Sequence, residues 1–557
     1  MIRRAALAAA VAVLIPLGLR AQVVESIEVR ITNVDVVVTD KAGNPVAGLT
    51  KDDFELFENK RPQTITNFYE VRDESGAVAA SAAERPAPEA GAAPPAEVRQ
   101  RRIIFFIDNY SLKPFLRNRV FDSVKKGMAR LMRPGDEGML VVWSRGLHIP
   151  QPFTSDIGSL ERALAQVADS TGGMNFFSDR DRVKSHVLSL LGNARFDRRG
   201  GGGDSVGQAK SIVRQYADEQ QALERQLLSS LELTLSTLAG MEGKKVMVYV
   251  GAHLPEQVGY EMFVWLDEVL AQSIAGSMPS AYREASAHSM TLSIEGAAKK
   301  ANADGVTMYL IDAADDSMGL MPTADSGDAQ SSTEAFAGYT NTASALQTMA
   351  EITGGMALTS THNFDLAVDN VVRDLGSYYS LGYRSAEEGA RERAIAVKAK
   401  NPAYRVRSRR SFVSKTADEQ LGDRVIANIY STGTKSELPV QVRTGKAAKK
   451  SRDRWIVPVE IAFSPEKLTL LPDGNELAGG FSVFIAVGDE DGAMSNVTKR
   501  VQPVRIPAAS LGAFRGKPVL YTVDLLVRKG VHTLSVAVSD TIANTTGFTR
   551  ARVNAKE

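Results

Sequence analysis

Apolar residues change their spacing along this chain, and each change marks a new kind of element. Val34, Val36 and Val38 alternate with polar residues, the turn "DKAGNP" follows, and alternation resumes in Phe54, Leu56 and Phe57. This period of two predicts a small antiparallel β module over residues 24–72. From Arg101 the alternation gives way to solid apolar runs, "IIFFI", "VMVYV" and "VTMYLI", separated by long stretches of helical spacing. Buried parallel strands alternating with helices predict an α/β domain with both sheet faces covered, over residues 101–385. Within it "GDEGMLVVWSRGLHIPQPFTSD" reads as a strand pair, and Leu223, Leu227, Leu231, Leu235 and Leu238 step along one helix face. The domain is expected to close with "AEITGGMALTSTHNFDLAVDNVVRDLGSYYSLGY" as helix, strand, helix and strand. Beyond Ser385 helical spacing nearly vanishes, and strand signals between Gly, Pro and Asp turns predict a second β-sandwich over residues 420–557.

Residues 73–100 are rich in Ala, Pro and Glu with almost no large apolar residue, which predicts a flexible tether. A few N-terminal strands alone would leave edges open and bury too little apolar area. Residues 24–72 are therefore expected to pair with strands at 386–415, with the α/β domain inserted between them. The tether and "SAEEGARER" would form the two connections.

The length, 557 residues, exceeds a single core, and a formal charge of +1 gives no reason to expect nucleic acid. Arg3 and Arg4 precede an apolar run from Ala5 to Leu19, and Ala21 precedes a polar restart. That layout predicts a cleaved signal peptide over residues 1–21, and hence export to the periplasm, the outer surface or the medium. No later stretch is long and apolar enough to span a bilayer. The chain has no cysteine, which excludes a disulfide framework, a thiol nucleophile and cysteine metal sites.

The stretch "RRIIFFIDNYSL" aims a carboxylate, Asp108, out of the end of a buried strand. Together with "RPGDEGMLVVWS", "GKKVMVYVGAHLP" and "ITGGMALTST", it resembles a von Willebrand factor type A domain. The combination of "VDVVVTDKAGNPVAGLTKDDFELFENKRPQTITNFYEV", "YYSLGYRS" and "VRSRRSF" resembles more narrowly the exported VWFA-related proteins abundant in Acidobacteria. The resemblance implies a doubly wound, Rossmann-like sheet with its ligand crevice at the carboxyl ends of the strands, here flanked by Ig-like β-sandwich modules. It also implies a metal-ion-dependent adhesion motif, Asp-x-Ser-x-Ser plus a Thr and a second Asp, which leaves Mg²⁺ one position for a partner's carboxylate. Only Asp108 matches. Tyr110 and Leu112 stand where the serines belong, Ser111 is out of register, Met174 occupies the expected Thr position near Thr171, and "GAH" (Gly251 to His253) replaces the second Asp. No metal is expected. Asp108, Ser111 and Thr171 are the ligands if Mg²⁺ binds at all, and Asp108, Asn109, Tyr110, Ser111 and His253 are the candidate crevice contacts. Asp108 is expected to accept hydrogen bonds from its own loop or to cap the helix starting near Pro114.

Other motifs reduce to structure. "GDSVG" around Ser205 matches a hydrolase elbow, but "RFDRRGGG" precedes it where the elbow needs a buried strand, so a surface loop is expected. His148, His186, His253, His288, His362 and His532 never fall at metal-ligand spacing. "GMEGKK" lacks the length and the Ser/Thr of a phosphate-binding loop. "DAADDS" (Asp312 to Ser317) and "GDEDG" read as solvated turns, Arg405, Arg407 and Arg409 as a solvated strand face, and Lys446 to Arg454 as a charged loop. No nucleophile–base or paired-carboxylate constellation emerges. The expected function is therefore an exported, non-enzymatic binding or adhesion-type protein, without cofactor, contacting a protein or envelope partner. A purely structural or assembly component of the envelope is the alternative.

Overall fold

The computed structural model describes residues 31–72, 100–169, 176–196, 202–273, 278–314, 331–359, 364–385, 392–431, 436–489, 492–510, 512 and 516–555. The expected signal peptide, the tether, Thr171, Met174, His362, Asp315 to Ser317 and the centre of "GDEDG" lie outside them, as does most of the "SAEEGARER" connection. Among the described residues, no helix is long and apolar enough to cross a membrane.

The first strands are β1 (Ile31–Thr39), β2 (Phe54–Glu58), β3 (Arg61–Gln63) and β4 (Ile65–Arg72). A six-stranded sheet follows, built from β5 (Arg101–Asp108), β6 (Glu137–Trp143), β7 (Leu147–Thr154), β8 (Lys244–Gly251), β9 (Val306–Asp312) and β10 (Met356–Leu358). The helices between its strands are α1 (Pro114–Leu131), α2 (Ile157–Asp169), α3 (Phe176–Phe196), α4 (Gly202–Ala239), α5 (Tyr260–Ser273), α6 (Ala281–Ser286), α7 (Thr291–Asp304) and α8 (Ser332–Thr353), with α9 (Phe364–Gly376) after the last. The order is β10-β9-β8-β5-β6-β7, parallel except for β7. The chain winds outward from β5 through β6 and then returns through β8, so the order reverses between β5 and β8.

The solid apolar runs make sense in this setting, because each strand is buried on both faces. Ile104, Phe106, Met247 and Leu310 pack with α4, α5, α7 and α8 on one side. Ile103, Phe105, Ile107 and Val248 pack with α1, α2 and α9 on the other. Arg101, buried at the start of β5, meets Asp136 at 2.5 Å and donates to Leu131 O, which pins the turn before β6.

The strands that follow are β11 (Ser377–Arg384), β12 (Glu392–Ala399), β13 (Arg405–Ser408) and β14 (Ser411–Val413). β1 lies between β11 and β13, with Val34 opposite Leu381 and Val38 opposite Val406. β12 pairs β2, with Leu56 opposite Val397. Two four-stranded sheets, β13-β1-β11-β4 and β14-β12-β2-β3, enclose a common core of Val34, Val36, Val38, Phe54, Leu56, Tyr379, Leu381, Tyr383 and Ile395. Here one expectation is corrected: β11 joins this sandwich instead of closing the α/β sheet. Its Tyr379, Leu381 and Tyr383 fill the sandwich core, while Tyr378 on its other face receives the Lys244 ammonium at 3.6 Å. A second correction concerns the basic stretch. Arg405 is solvated, but Arg407 pairs with Asp374 of α9, and Arg409 donates to Asn33 O of β1.

The C-terminal region begins with a helix that the sequence reading did not foresee, α10 (Ala417–Tyr430). Thr416 and Glu419 close a reciprocal capping box on its first turn. Then come β15 (Val440–Thr444), β16 (Ala448–Lys449), β17 (Arg454–Phe463), β18 (Leu470–Asp473), β19 (Glu476–Asp489), β20 (Thr498–Pro507), β21 (Val519–Arg528), β22 (Gly530–Asp540) and β23 (Thr546–Ala555). β16 lies inside the stretch expected as a charged loop. These strands form two sheets around a core that includes Trp455, Val459, Ile461, Val483, Val536 and Val553. Leu421, Val425 and Ile429 of α10 pack on Phe484, Ala537 and Phe548, with Ile149 and Phe153 of β7 against the same cluster. Gly240 lets α4 approach closely, since a Cβ there would stand 2.3 Å from Arg424 N.

Candidate functional site

In an open α/β sheet, ligands bind outside the strand ends where the order reverses. In this protein that point lies between β5 and β8, and Asp108 is the last residue of β5. Its carboxylate is turned inward. Ser111 N–H donates to Asp108 Oδ1 at 3.3 Å, and the Tyr249 hydroxyl donates to Asp108 Oδ2 at 3.3 Å. Ser111 Oγ donates to Asp108 O at 3.1 Å and accepts from Ala252 N–H at 2.9 Å. One hydroxyl thus joins the loop after β5 to the loop after β8. Gly251 makes room for this arrangement, because a Cβ there would meet Tyr249 Oη at 2.5 Å.

The neighbouring candidates are equally engaged. Asn109 donates to Ser144 Oγ at 2.9 Å and accepts from Arg117 Nε at 2.6 Å, while Arg117 also donates to the carbonyls of Val167 and Ala168. The Tyr110 hydroxyl lies 3.1 Å from Asp179 Oδ2 and 3.0 Å from Gln220 Oε1. The His253 ring stacks on Phe176 at 3.9 Å, and its Nε2 has no hydrogen-bond partner among the described residues. Asp108, Asn109, Tyr110, Ser111 and His253 are all buried, so the structure gathers them at the sheet end without offering them to solvent. Ser205 sits in the first turn of α4 and not on a strand-to-helix elbow, so the expected surface loop is in part a helix.

Beneath these residues lies a polar layer that sequence reasoning missed. Tyr216, Gln220 and Glu224 stand four residues apart on α4 and are buried against the sheet end, and Glu261 is buried in the first turn of α5. Burial pushes the Asp108 carboxyl up to about 6, against the pull of its Ser111 and Tyr249 hydrogen bonds. Burial, then the Asp108 and Glu261 charges, raise Glu224 well above the usual carboxylate range. Burial likewise lifts Glu261 to about 7, and neither of its oxygens has a hydrogen-bond partner among the described residues. His253 is held down at about 3, by burial and then by the Arg180 charge. Desolvation disfavours the charged form in every case. The available signal was the i, i+4, i+8 spacing of three polar residues running into an otherwise apolar stripe.

A divalent cation of the Mg²⁺ type needs several hard oxygens facing one point. Asp108 instead faces an N–H and an O–H donor, and among the described residues no group of three or more His, Asp or Glu side chains could hold a metal ion. The described residues do not fit such a cation. What the arrangement does is fasten β5 to β8.

No protein-family model matches this chain, and no curated protein matches it. Among solved structures, it is similar to an aerotolerance-related membrane protein from Bacteroides fragilis NCTC 9343 with multiple mutations to serines. That likeness has 12% identity over 50% of this chain and 98% of the other, with a TM-score of 0.23. A conserved hypothetical protein, BatB, from Bacteroides thetaiotaomicron is similar at 9% identity over 50% of this chain and 98% of its own, TM-score 0.20. Proximal thread matrix protein 1 from the mussel byssus is similar at 13% identity over 50% and 48%, TM-score 0.21. At these TM-scores none of the three carries an argument about fold or function.

Proposed function

We propose that this chain is an exported, non-enzymatic binding protein whose von Willebrand type A-like α/β unit contacts a protein partner of the cell envelope. The observation that supports this reading is a set of large apolar side chains left in solvent around the carboxyl end of the sheet. α7 and α8 each lead back into a parallel strand, so their N-termini lie at that end. Leu292, the second residue of α7, is 84% exposed, and Phe336, near the start of α8, is 66% exposed. Tyr282 of α6 (69%) and Met278 just before it (82%) belong to the same side, where Arg214 of α4 holds Glu284 of α6 at 2.8 Å. Exposed large apolar residues gathered on one side favour a contact surface. The contact would then use this rim, with the degenerate motif around Asp108 serving as its rigid floor.

The test is capture from an envelope extract with wild-type protein, the double variant Leu292→Glu/Phe336→Glu, and Asp108→Asn. The reading expects a specific partner held by the wild type and by Asp108→Asn but lost by the rim variant. Equal capture by all three, or no capture, favours the second reading, a purely structural or assembly component. The inward, buried state of the five sheet-end candidates is what favours that alternative.

A further inference from the structure

At the opposite end of the six-stranded sheet, the α/β domain, the first sandwich and α10 meet around a cleft of about 330 Å³. That is the lower end of the size range of small-molecule sites. Its walls carry Lys245 at the start of β8, Asp304 at the end of α7, Arg409 from the stretch after β13, Lys415 from the approach to α10, and Asp423 and Arg424 from the middle of that helix. Four cations face two carboxylates.

The two carboxylates are already neutralised. Lys415 Nζ donates to Asp304 Oδ1 at 2.5 Å and to Asp423 Oδ2 at 2.6 Å, and Lys300 closes on the other oxygen of Asp304. Lys245 is different. Its Nζ donates to Ala239 O at 3.1 Å, and among the described residues no carboxylate stands at ion-pair distance from it. An ammonium has three donors, so two remain. Arg409 uses one terminal nitrogen on Asn33 O, and its buried Nε has no partner among the described residues. Arg424 stands over the Phe548 ring at 4.4 Å. Burial holds the Lys245 ammonium down at about 8; Asp304 and Asp423 oppose this, while Lys415 and Arg409 add to it. Two neighbouring cations with spare donors, Lys245 and Arg409, suit an anion.

We propose that this cleft binds a small dianion of the phosphate class, held by the Lys245 ammonium and the Arg409 guanidinium at the junction of the three modules. Lys245 and Arg409, the two cations that hold it, set two positive charges against two negative charges on the ligand. A guanidinium fork beside a point-charge ammonium is the donor pair that suits phosphoryl oxygens.

Titration calorimetry of the full-length protein with inorganic phosphate, at ionic strength matched by sodium chloride, reads this directly. Glycerol phosphate in a parallel arm distinguishes a phosphoryl group on a larger molecule from the free ion. One saturable site is expected in the wild type, for either probe. Lys245→Met should weaken it at least about tenfold, the loss expected for one charge-assisted hydrogen bond, and Lys245→Arg should retain it. Arg424→Gln is the second variant should Lys245→Met fail to fold, and it should weaken binding about threefold. An absence of saturable heat beyond the chloride control, or equal affinity in Lys245→Met, overturns the proposal. Neither result bears on the rim contact, which uses the other end of the sheet.

Discussion

The Tyr249 hydroxyl lies 3.3 Å from Asp108 Oδ2, across the strand pair where the sheet order reverses. A phenol donating to a buried carboxylate ties β8 to β5 where the two strands end.

Asp108 should titrate as part of the folding equilibrium. Its pKa rises from 3.8 to about 6 on folding, so the folded state binds the proton more tightly. The resulting stabilisation is complete below about pH 4 and is lost as the pH rises through about 6. Asp108→Asn carries no such titration. Its stability relative to wild type should improve by up to roughly 3 kcal/mol between pH 4 and pH 7, at 1.36 kcal/mol per pKa unit. Urea unfolding at several pH values checks this, and parallel curves for the two proteins would contradict it.

Gly251→Ala should push the Tyr249 hydroxyl off Asp108, since the new methyl would stand 2.5 Å from it. A cost of about 1–3 kcal/mol is expected for such overpacking. Tyr249→Phe removes the nearest obstructing atom and leaves ring carbons at 2.8 and 3.0 Å, so the double variant should lose somewhat less than the two single losses added together. Thermal melts of the four proteins measure the coupling, and strict additivity would show that the clash is relieved elsewhere.

Glu58 holds three parts of the first sandwich together. Its buried carboxylate accepts from Tyr383 Oη at 3.0 Å and Ser385 Oγ at 2.8 Å, and it pairs with Arg393 at 3.1 Å. Glu58→Ala leaves Arg393 buried and uncompensated, and should cost roughly 3–5 kcal/mol. A urea midpoint within experimental error of wild type would remove this network from the account of the fold.

Cleavage between Arg72 and Gln100 should not release the N-terminal segment. β1, β2 and β4 pair with strands that lie beyond residue 376, through β11, β12 and β13. A protease site placed in that stretch should yield two pieces that migrate together on native gels and part only in denaturant. Clean separation without denaturant would show that the pairing is too weak to bridge the cut.

The parts of the fold visible in the sequence are those where side-chain period and burial agree. β1 alternates because one face is core, and β5 is solidly apolar because both faces are. β11 defeats that logic. It is a sandwich strand whose second face rests on the α/β domain, so "YYSLG" is buried on both sides and reads like a parallel strand. α10 was legible in principle, from Thr416 and Glu419 three residues apart followed by Leu421, Val425 and Ile429, but surrounding strand signals drowned it. At the candidate site, the position of Asp108 at a strand end could be read, but its inward partner could not. Tyr249 is 141 residues away, and nothing in the local pattern says which hydroxyl a carboxylate will meet. Arg407 and Arg409 looked solvated for the same reason, since Asp374 and Asn33 are their neighbours only in space.

The pairing of Ile31 with Arg384 also sets a timetable. A ribosome must add more than 350 residues, the difference between those two numbers, before β1 meets its neighbour. Throughout that interval Val34, Val36 and Val38 form an apolar strand without a partner, the kind of segment that sticks to other nascent chains. Contacts this remote in sequence also form slowly. The inserted α/β domain, whose contacts are more local, is then the part able to fold first, and its closure draws the two ends of the sandwich together. Its second role is that of a scaffold in time, bringing β11, β12 and β13 to the first strands that wait for them.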